Sequence, residues 1–580
     1  MTAKDNQTKK TYDYEIYRKS KKETHFAYTR IDSFEEDAIK LVNNDFRLLT
    51  LVSSDETELI INRKKIYFIF TNDMIDGSSE IVILEWMPID DFDEDLKKIM
   101  KKIRDVKEEK FYYQLQPYYH EIQNYYHDIL QSKKIHQSNS ENNSQKEKSP
   151  EPYSRVIVGP IHAGIIQPGR FTFDLVGERV HRLKIDLGYT HKGTEKLFEQ
   201  IKDRIQPENA WKKALNIVSN ISGDTPVAHE CAYCRAVESI ANISPCNQDL
   251  WIRAILLELE RIVNHINDIG LLARGVSFEG PASALCILRE ELRNMCKKLT
   301  GSRFLKRAIC LGGIDAKIRE TFLSKIKNIE FENKFETVLE NFWIIIKKTN
   351  LKVFKAFLNS FWEPFWEHAI VRDRMINIGV MPEETAIKFG APGLVAKSIK
   401  KLRNRDFRLI HPWGPYCDDK VINILTDNEK HNDGYDDKEG DVLSRFAVRL
   451  REIESSKKII AYLIRTLESQ EFRPYDENEI LQKIFRAPPY SFEIGHCEGW
   501  RGEVVYWVMK DLYGGIFRIK VRDPSIINWK VMEDTLNYEK RFNSDSKSTN
   551  VETKEKKMLG IACFPLINKS FNLSYSGNDL

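Results

Sequence analysis

The feature that most restricts how this chain can fold is the spacing of apolar residues between about positions 194 and 469. They recur every three to four positions, which is the period of a helix with one buried face. Residues 251–268 are the clearest example, with one aliphatic stripe formed by Ile252, Ile255, Leu256, Leu259, Ile262, Val263 and Ile266. We therefore expect a mostly α-helical domain with this helix in its core.

A polar segment, residues 131–154, divides the chain. It is rich in Ser, Asn, Gln and Lys and has too little apolar surface to offset its ordering entropy, so it is predicted to be a flexible linker. Residues 1–24 are predicted to be a disordered tail. Residues 25–130 are predicted to be a small α+β domain, in which a helix packs on an antiparallel sheet with strands at Phe46–Ser53, Glu58–Ile61, Lys65–Phe70 and Glu80–Trp86. Residues 155–580 form the larger domain, and the fold class of the whole chain is α+β.

Within the larger domain, small β-structure flanks the helices. Strands are predicted at Arg155–Val158, Arg170–Leu175 and Arg179–Leu187, and again at Val504–Trp507 and Ile516–Val521.

Composition excludes several functions. The formal net charge is only +3 over 580 residues, so nothing points to nucleic acid. No run reaches the ~18 apolar residues of a membrane span, so membrane contact is expected only through partners. The start of the chain does not have the pattern of a signal peptide. The nine scattered cysteines suit a reducing compartment.

Two segments about 300 residues apart carry most of the functional information. Residues 220–238 read NISGDTPVAHECAYCRAVE, and residues 522–529 read RDPSIINW. They resemble the motifs R-I-C-G-I-C-S-x-x-H and D-P-C-x-x-C of NiFe hydrogenase large subunits. The four positions of the metal-binding thiolates fall on Ser222, Thr225, Ser525 and Asn528.

Further segments resemble the same family in the same order and extend the likeness over roughly 155–580. They include Gly159–His162, Leu187–Lys196, Glu258–His265 and Glu498–Glu503. The chain is similar to the large subunits of group 4 energy-converting membrane-bound hydrogenases, of the formate hydrogenlyase or hydrogenase-4 type. These are homologous to the forty-nine-kilodalton subunit of complex I. The resemblance implies that residues 25–130 are a fused domain similar to the thirty-kilodalton subunit of complex I.

The residue types restrict the cofactors. Nickel and low-spin iron need thiolates, which hydroxyl and amide groups do not replace, so neither metal is expected. In the family a magnesium ion lies beside a glutamate that matches Glu195, but its histidine partner is Val531 here, and we predict no metal site. A quinone remains possible as the acceptor. However, the resemblance aligns the quinone-binding histidine of complex I with Ile166 and its quinone-binding tyrosine approximately with Gly223. His162 matches the other histidine of the loop that carries the quinone-binding one.

The chain is expected to hold no cofactor by itself. It has no ferredoxin-type cysteine run and no nucleotide-binding fingerprint, so the NAD binding that a complex I-like assembly implies is not carried by this chain. Any electron must then come from a partner small subunit with a [4Fe–4S] cluster.

Two residues are candidates for catalysis, Asp224 and His229. Asp224 is either a buried carboxylate with a raised pKa that relays protons, or the N-cap of the helix that follows it. Cys231 and Cys234 form a C-x-x-C, which is either a redox or metal pair or two small buried residues.

Charged residues on the helix predicted from residue 251 invite two interpretations. Glu258, Arg261 and His265 lie three or four positions apart, so a local charge network is natural. The resemblance implies a cavity or coupling role, and a structural ion network is the alternative. The same choice applies to Asp406, Arg408, Arg445, Arg449 and Glu452.

Two functions follow. The first is the large subunit of a membrane-associated, complex I-like or hydrogenase-4-like oxidoreductase on the cytoplasmic face of the inner membrane. Its partners would be the iron–sulfur small subunit and antiporter-like proton-translocating membrane subunits, and its acceptor a quinone. The second is a non-catalytic scaffold or coupling subunit of such a complex. NiFe hydrogenase activity itself is not expected.

Overall fold

The computed structural model describes residues 24–28, 46–56, 63–72, 81–86, 154–162, 166–201, 209–326, 329–347, 368–430, 440–473, 476–537 and 560–580. They fall into two compact units, residues 1–140 and 141–580. The predicted linker lies outside the described residues, except for Ser154, which already begins a strand. The predicted boundaries stay predictions.

The first unit contains a four-stranded sheet. Its strands are β1 (Thr24–Tyr28), β2 (Phe46–Glu56), β3 (Arg63–Asn72) and β4 (Ile81–Trp86), in the order β1-β4-β3-β2. Strand β1 runs parallel to β4, so the sheet is mixed and the expectation of a purely antiparallel sheet is wrong. The predicted helices of this unit and the strand at residues 58–61 lie outside the described residues, and the likeness to the smaller complex I subunit stays a prediction.

The second unit has two three-stranded antiparallel sheets and a short hairpin. The first sheet is β5 (Ser154–Val158), β6 (Arg170–Val176) and β7 (Arg179–Asp186), and the hairpin is β8 (Ile309–Cys310) with β9 (Gly313–Ile314). The second sheet is β10 (Phe492–Gly499), β11 (Gly502–Lys510) and β12 (Ile516–Arg522), with the fully buried β11 at its centre. The strands predicted in this unit are confirmed, and β8, β9 and β10 are additions.

Helices make up most of the second unit, as expected. They are α1 (Thr194–Gln200), α2 (Asn209–Val218), α3 (Pro226–Ile240), α4 (Asn247–Gly275), α5 (Glu279–Thr300), α6 (Ala316–Ile326), α7 (Ile329–Lys347), α8 (Ala369–Met375), α9 (Glu383–Phe389), α10 (Gly393–Lys397), α11 (Phe407–Ile410), α12 (Asp419–Lys430), α13 (Val442–Thr466), α14 (Glu477–Arg486), α15 (Pro524–Asn537) and α16 (Phe564–Phe571).

Helix α4 is the central element of this unit. It packs against α5, α13 and α16, and every residue of the predicted aliphatic stripe is buried. The opposite side of the helix is buried as well, and there it carries Glu258, Arg261 and His265. Because this helix is buried on all sides, the charges on it must be neutralised by charged or polar partners inside the protein.

Helix α3 lies unusually close to strand β10. A Cβ atom placed on Gly495 would lie 2.6 Å from the backbone nitrogen of Ala236, and one on Gly499 would lie 3.1 Å from the Cβ of Ala228. At position 495 only glycine allows this separation between strand and helix, and at position 499 any larger residue would be crowded. The close packing fixes the start of α3, with its candidate residues, against the sheet.

Among the described residues, no helix is long and apolar enough to cross a bilayer.

Candidate functional site

Three of the four positions that match metal-binding thiolates come together. Ser222 lies in the turn before α3 and Thr225 is the N-cap of that helix, with 3.5 Å between their hydroxyl oxygens. Ser574, from the C-terminal segment, lies 3.3 Å from the Ser222 hydroxyl, and its backbone N–H donates to the Ser525 hydroxyl at 2.9 Å. A hydroxyl network therefore connects the two motifs through a third segment of chain.

Asn528 does not join this network. It lies one turn after Ser525 on α15, and its amide nitrogen donates weakly to the carbonyl of Pro392 at 3.4 Å. Its carbonyl oxygen is buried and makes no hydrogen bond with the described residues.

These donors do not fit a NiFe centre. Two serines, a threonine and an amide are hard neutral groups, whereas nickel and low-spin iron are held by soft thiolates. Within the described part of the chain, no group of three or more His, Cys, Asp or Glu side chains is placed to hold a metal ion. The chemistry of these positions is that of hydrogen bonds and charges.

Asp224 forms an ion pair with Arg501 beside the hydroxyl network. The two guanidinium nitrogens Nη1 and Nη2 donate to its carboxylate oxygens at 2.6 and 2.8 Å, a bidentate fork. Ser222 and Thr225 donate to the same carboxylate at 3.0 Å each. Arg501 is held in turn by the carbonyl of Asn572 at 2.6 Å.

Both interpretations of Asp224 need correction. Burial raises its pKa, but Arg501 and the two hydroxyls outweigh burial and lower it to about 2, so a raised pKa is wrong. It is not the N-cap either, because Thr225 occupies that position. Asp224 is therefore an anion at neutral pH, paired with Arg501, and 37% of its side chain is exposed.

His229 lies one turn into α3 and is fully buried between two polar side chains. Its Nδ1 is 2.9 Å from the hydroxyl of Tyr506 on β11, and its Nε2 is 3.3 Å from the carboxylate of Asp523. Burial raises the pKa of Tyr506 well above its usual value, so the phenol keeps its proton and can donate to Nδ1. Nε2 then carries the hydrogen that faces Asp523.

Asp523 ends this chain of hydrogen bonds, within the electrostatic influence of Arg501. Burial raises the pKa of Asp523, but the hydrogen bond from His229 and the charge of Arg501 bring it below its ordinary value. Tyr506, His229 and Asp523 thus form a buried polar path that ends near the ion pair of Arg501.

A second, larger cluster of buried charges lies around α4, and we call it the ion network. Its members come from five elements: Glu258, Arg261, His265, Lys397, Asp406, Arg408, Glu452 and Glu498. Lys397 is the centre, with its ammonium 2.7 Å from Asp406, 2.9 Å from Glu452 and 2.9 Å from Glu498.

The arginines of the ion network connect these carboxylates to α4. Arg408 binds Asp406 at 2.6 Å and Glu258 at 3.2 Å, and Arg261 binds Glu258 at 3.1 Å and Glu452 at 3.2 Å. His265 lies 2.7 Å from Glu452. The prediction that Glu258, Arg261 and His265 form a charge network is therefore confirmed in its geometry.

Burial favours the neutral forms of two members of the ion network. Burial raises the pKa of Glu498 to about 7, with the charges of Asp406 and Glu503 adding to the effect and Lys397 opposing it. Burial lowers the pKa of His265, against the attraction of Glu452. A small pocket of about 50 Å³ lies at the edge of the network and has room for water. Its lining includes Lys397, Asp406, Arg408 and Glu452.

Arg445 and Arg449 serve a different purpose. Arg449 pairs with Asp268 of α4 at 2.8 Å and donates to the carbonyl of Ser570 at 2.8 Å, and the guanidinium of Arg445 donates to the hydroxyl of Ser570 at 2.9 Å. Both fasten the C-terminal segment to the helical core.

The remaining predicted residues lie apart from these clusters. The Nε2 atom of His162 is 2.6 Å from the carbonyl of Gly169, and Glu195 accepts hydrogen bonds from Lys520 and from the N–H of Val521, both at 3.0 Å. Ile166 is exposed and Val531 is buried in the core. The structure thus gives Glu195 a structural task in holding α1 to β12.

Sequence reasoning missed Arg501, Tyr506, Asp523, Lys397 and Glu498 as functional candidates. Arg501 and Glu498 lie inside a segment already singled out, 498–503, and Asp523 lies in the second metal-site motif. A search of those motifs for charged residues would have found them, whereas nothing local marks Lys397.

Comparisons with known proteins place the chain among redox-complex subunits. Residues 279–540 match the model of the family described as respiratory-chain NADH dehydrogenase, 49 Kd subunit. The match covers somewhat less than half of the chain, from α5 to α15.

The chain is also similar to individual relatives. It is 24% identical to membrane-bound hydrogenase subunit alpha of Pyrococcus furiosus over 384 residues, which is 66% of this chain and 81% of that one. It is 26% identical to NADH-quinone oxidoreductase subunit 4 of Thermus thermophilus, over 64% of this chain and 85% of the other. Formate hydrogenlyase subunit 5 of Escherichia coli is 25% identical, and there the match spans 67% of this chain but only 59% of the relative. These relatives fit a large subunit of the group 4 hydrogenase-like type.

Proposed function

We propose that this chain is the large subunit of a membrane-associated, complex I-like oxidoreductase that contains no NiFe centre. Electrons arrive from a partner subunit with a [4Fe–4S] cluster and pass to a quinone-type acceptor. Antiporter-like membrane subunits move ions, and the chain lies at the cytoplasmic face of the inner membrane through its partners. The family match, the relatives and the order of the motifs support this assignment.

The observation that carries the proposal is the bidentate pair of Asp224 and Arg501 beside the positions that match metal ligands. Its charges are fixed, because the pKa of Asp224 is lowered to about 2 and a guanidinium stays protonated. A fixed pair of charges beside a polar path is suited to orienting a polar acceptor or stabilising charge that develops on it. The same groups are unsuited to holding nickel or iron.

A second candidate function is favoured by the ion network. Lys397 joins three carboxylates that belong to separate elements, and the pKa of Glu498 is raised to about 7. Such a group can take up or release a proton near neutral pH without any electron transfer in this chain. This observation supports the role of a coupling or scaffold subunit, in which redox chemistry takes place elsewhere in the complex.

One experiment separates the two functions. The tagged chain is purified with its partners from native membranes, its iron and nickel are measured, and acceptor reduction is assayed for the wild type and for Asp224→Asn and Arg501→Lys. Both variants break the fork while keeping side-chain size or charge. Asp174→Asn is the matched control, since its pair with Arg155 at 2.7 Å lies at the surface.

For an oxidoreductase subunit we expect iron without nickel, and a loss of acceptor reduction of about tenfold or more in both variants with normal assembly. Full activity in both variants, with normal assembly, supports the coupling or scaffold function instead. Absence of an iron-containing partner, or one nickel per chain, would refute the proposal.

A further inference from the structure

Residues 289–307 carry an unbalanced positive charge. Seven Lys or Arg residues stand against two Glu residues in this stretch, which gives a net charge of +5, whereas the whole chain carries only +3. The stretch covers the second half of α5 and the loop between α5 and β8. An ordinary solvated face mixes both signs of charge, so this stretch needs a separate explanation.

The cations of this stretch form one surface. Arg289, Arg293 and Lys297 follow one another at intervals of four residues, so they line one side of α5. The loop folds back onto that side, because the guanidinium of Arg303 pairs with Glu290 and the ring centre of Phe304 lies 4.8 Å from the Cζ atom of Arg293. We call this surface the basic face, and its residues are Arg289, Arg293, Lys297, Arg303, Phe304 and Lys306.

Most of these charges are held in place by neutral groups. Arg289 donates to the side-chain oxygen of Asn267 at 2.6 Å, and Lys306 donates to that of Asn220 at 2.7 Å. Arg293 rests on the ring of Phe304. Among the described residues, Glu290 is the only carboxylate that forms an ion pair with the basic face. The cations are therefore positioned, but the described part of the chain does not balance their charge.

The loop of the basic face is fixed from below. Leu305 is buried, and the fully buried carboxylate of Glu230 on α3 accepts the backbone N–H of Arg307 at 2.7 Å and that of Ile309 at 3.3 Å. Leu305 and Arg307 have φ angles of 60° and 63°, which non-glycine residues keep only where their surroundings hold them. A loop held in this way loses little freedom when it binds a partner.

The basic face lies next to the candidate site. Asn220, which holds Lys306, is in the turn before α3, two positions before Ser222. Asn267, which holds Arg289, lies one turn of α4 after Asn264, and the amide of Asn264 donates to the carbonyl of Asp224 at 2.8 Å. A molecule bound to the basic face would therefore reach the side of the protein on which Asp224 is part-exposed.

We propose that the basic face is the docking surface for a protein partner whose own surface is acidic. Guanidinium groups held in fixed positions match carboxylates through pairs of parallel hydrogen bonds. Phe304 is 39% exposed among them, and arginine together with aromatic rings is the composition enriched where proteins meet.

Other anionic partners fit the basic face less well. An anionic lipid surface attracts Lys and Arg by their number and does not require a fixed geometry, whereas here two arginines are held by named neighbours. A nucleic acid calls for a strongly basic domain, and this chain is close to neutral. Carboxylates on a protein remain the chemistry that the positions of Arg289 and Arg293 favour.

The inference deepens the proposed function, because it locates where a partner subunit attaches, and it rests on that proposal only in so far as the chain works inside a complex. It applies equally to an oxidoreductase subunit and to a coupling subunit. Opposite charges on two partners mainly speed their association and fix their orientation. The basic face would thus orient the partner toward the candidate site.

The test is cross-linking of the native complex with a carbodiimide, which joins a lysine amine to a carboxylate in direct contact with loss of one water. We expect mass spectrometry to find peptides in which Lys297 or Lys306 is linked to Asp or Glu of another polypeptide. Lys401 is the internal control, since its ammonium lies 2.9 Å from Glu383 of the same chain and should link there.

Two double variants then test the arginines. Arg289→Gln with Arg293→Gln should lower the amount of the cross-linked partner that co-purifies with the tagged chain by about fivefold or more at about 0.1 M salt. Lys401→Gln with Arg473→Gln removes the same charge from side chains that are 73% and 74% exposed, and it should leave that amount unchanged. The wild-type cross-links decide by themselves if the arginine variant fails to accumulate.

Three results would overturn the proposal. The first is a cross-link from Lys401 to Glu383 without any link from Lys297 or Lys306 to another polypeptide. The second is equal co-purification of the partner with both double variants. The third is flotation of the purified chain with vesicles of anionic phospholipid that the arginine variant abolishes, while no partner peptide is linked, because the basic face would then bind lipid.

The proposed function fails or stands by separate measurements. A complex that lacks iron but yields the expected cross-links keeps the docking surface and refutes the oxidoreductase assignment. A complex that contains iron and reduces an acceptor, but yields no such cross-links, refutes the docking surface alone.

Discussion

Replacing Glu498 by glutamine should remove a specific part of the pH dependence of stability. In the folded protein one oxygen of Glu498 accepts from Lys397 at 2.9 Å and the other from the N–H of Phe407 at 3.3 Å. Burial raises its pKa from 4.5 to about 7. The folded protein therefore keeps a proton on Glu498 that the unfolded chain releases near pH 4.5, and wild-type stability falls as the pH rises through about 7.

The size of the effect follows from the two pKa values. They differ by about 2.5, and each unit corresponds to about 1.4 kcal/mol, which gives roughly 3 kcal/mol at most. Glu498 is only 1% exposed, so little of this is lost to solvent screening. Between pH 5 and pH 8 the wild type should lose roughly 2–3 kcal/mol that Glu498→Gln, which imitates the protonated side chain, does not lose.

The assay is urea unfolding of the purified full-length chain at pH 5, 6, 7 and 8, with the free energy of unfolding compared between variant and wild type. The difference should move in favour of the variant as the pH rises. As a control, Glu336→Gln removes an exposed ion pair with Lys457 and should change the free energy of unfolding by less than about 1 kcal/mol. If the difference between Glu498→Gln and the wild type stays constant to within about 0.5 kcal/mol, Glu498 does not hold a proton in the folded protein.

Three further substitutions test the geometry. Lys397→Met should lower the free energy of unfolding by about 3–5 kcal/mol, because three buried carboxylates lose their shared partner. As a control, Lys401 has a side chain that is 73% exposed, and Lys401→Met should change the same free energy by no more than about 0.5 kcal/mol in the urea titration. Gly495→Ala should lower the free energy of unfolding by about 1–3 kcal/mol or more, because the added methyl group forces strand β10 away from helix α3. Gly223 has open space around it, so Gly223→Ala should leave the thermal midpoint nearly unchanged. Equal shifts of the thermal midpoint in the two variants would contradict the close packing at Gly495. Tyr506→Phe removes only the hydroxyl that is hydrogen-bonded to the buried imidazole of His229. It should lower the free energy of unfolding, measured with urea, by about 1–3 kcal/mol. An unchanged free energy would show that this hydrogen bond is not formed.

The sequence predicts those helices and strands of the second unit that a local pattern of apolar or β-branched residues defines. The aliphatic stripe of α4 and the β-branched runs of β11 and β12 are recognisable within a short window. Strand β10 is not, because Gly495 and Gly499 weaken its strand character and serve contact with a helix far away in sequence.

The candidate site is predictable only in part, for a related reason. Resemblance places Ser222, Thr225 and Ser525 together, and the structure agrees. Local sequence assigns Asp224 the role of a helix cap or a proton relay. It cannot reveal the actual partner, Arg501, because that residue is 277 positions away. The second face of α4 shows the same limit: a pattern of charges normally indicates a solvent-exposed face, and only long-range partners make burial of those charges possible.

The ion network also allows a stricter argument about function. A fold of this kind does not need buried ions for stability, since apolar side chains of similar volume often stabilise as well or better. Three cations, Lys397, Arg261 and Arg408, balance the carboxylates of Asp406, Glu258 and Glu452 when Glu498 is protonated and His265 is neutral. One proton leaving Glu498 upsets that balance, which is what a coupling element requires. If the network only supports the fold, Glu498→Gln should assemble into the complex and translocate ions at the wild-type rate. If the network couples, the same variant should assemble normally and lose ion translocation, measured as pH change across sealed native vesicles, because its charge can no longer change.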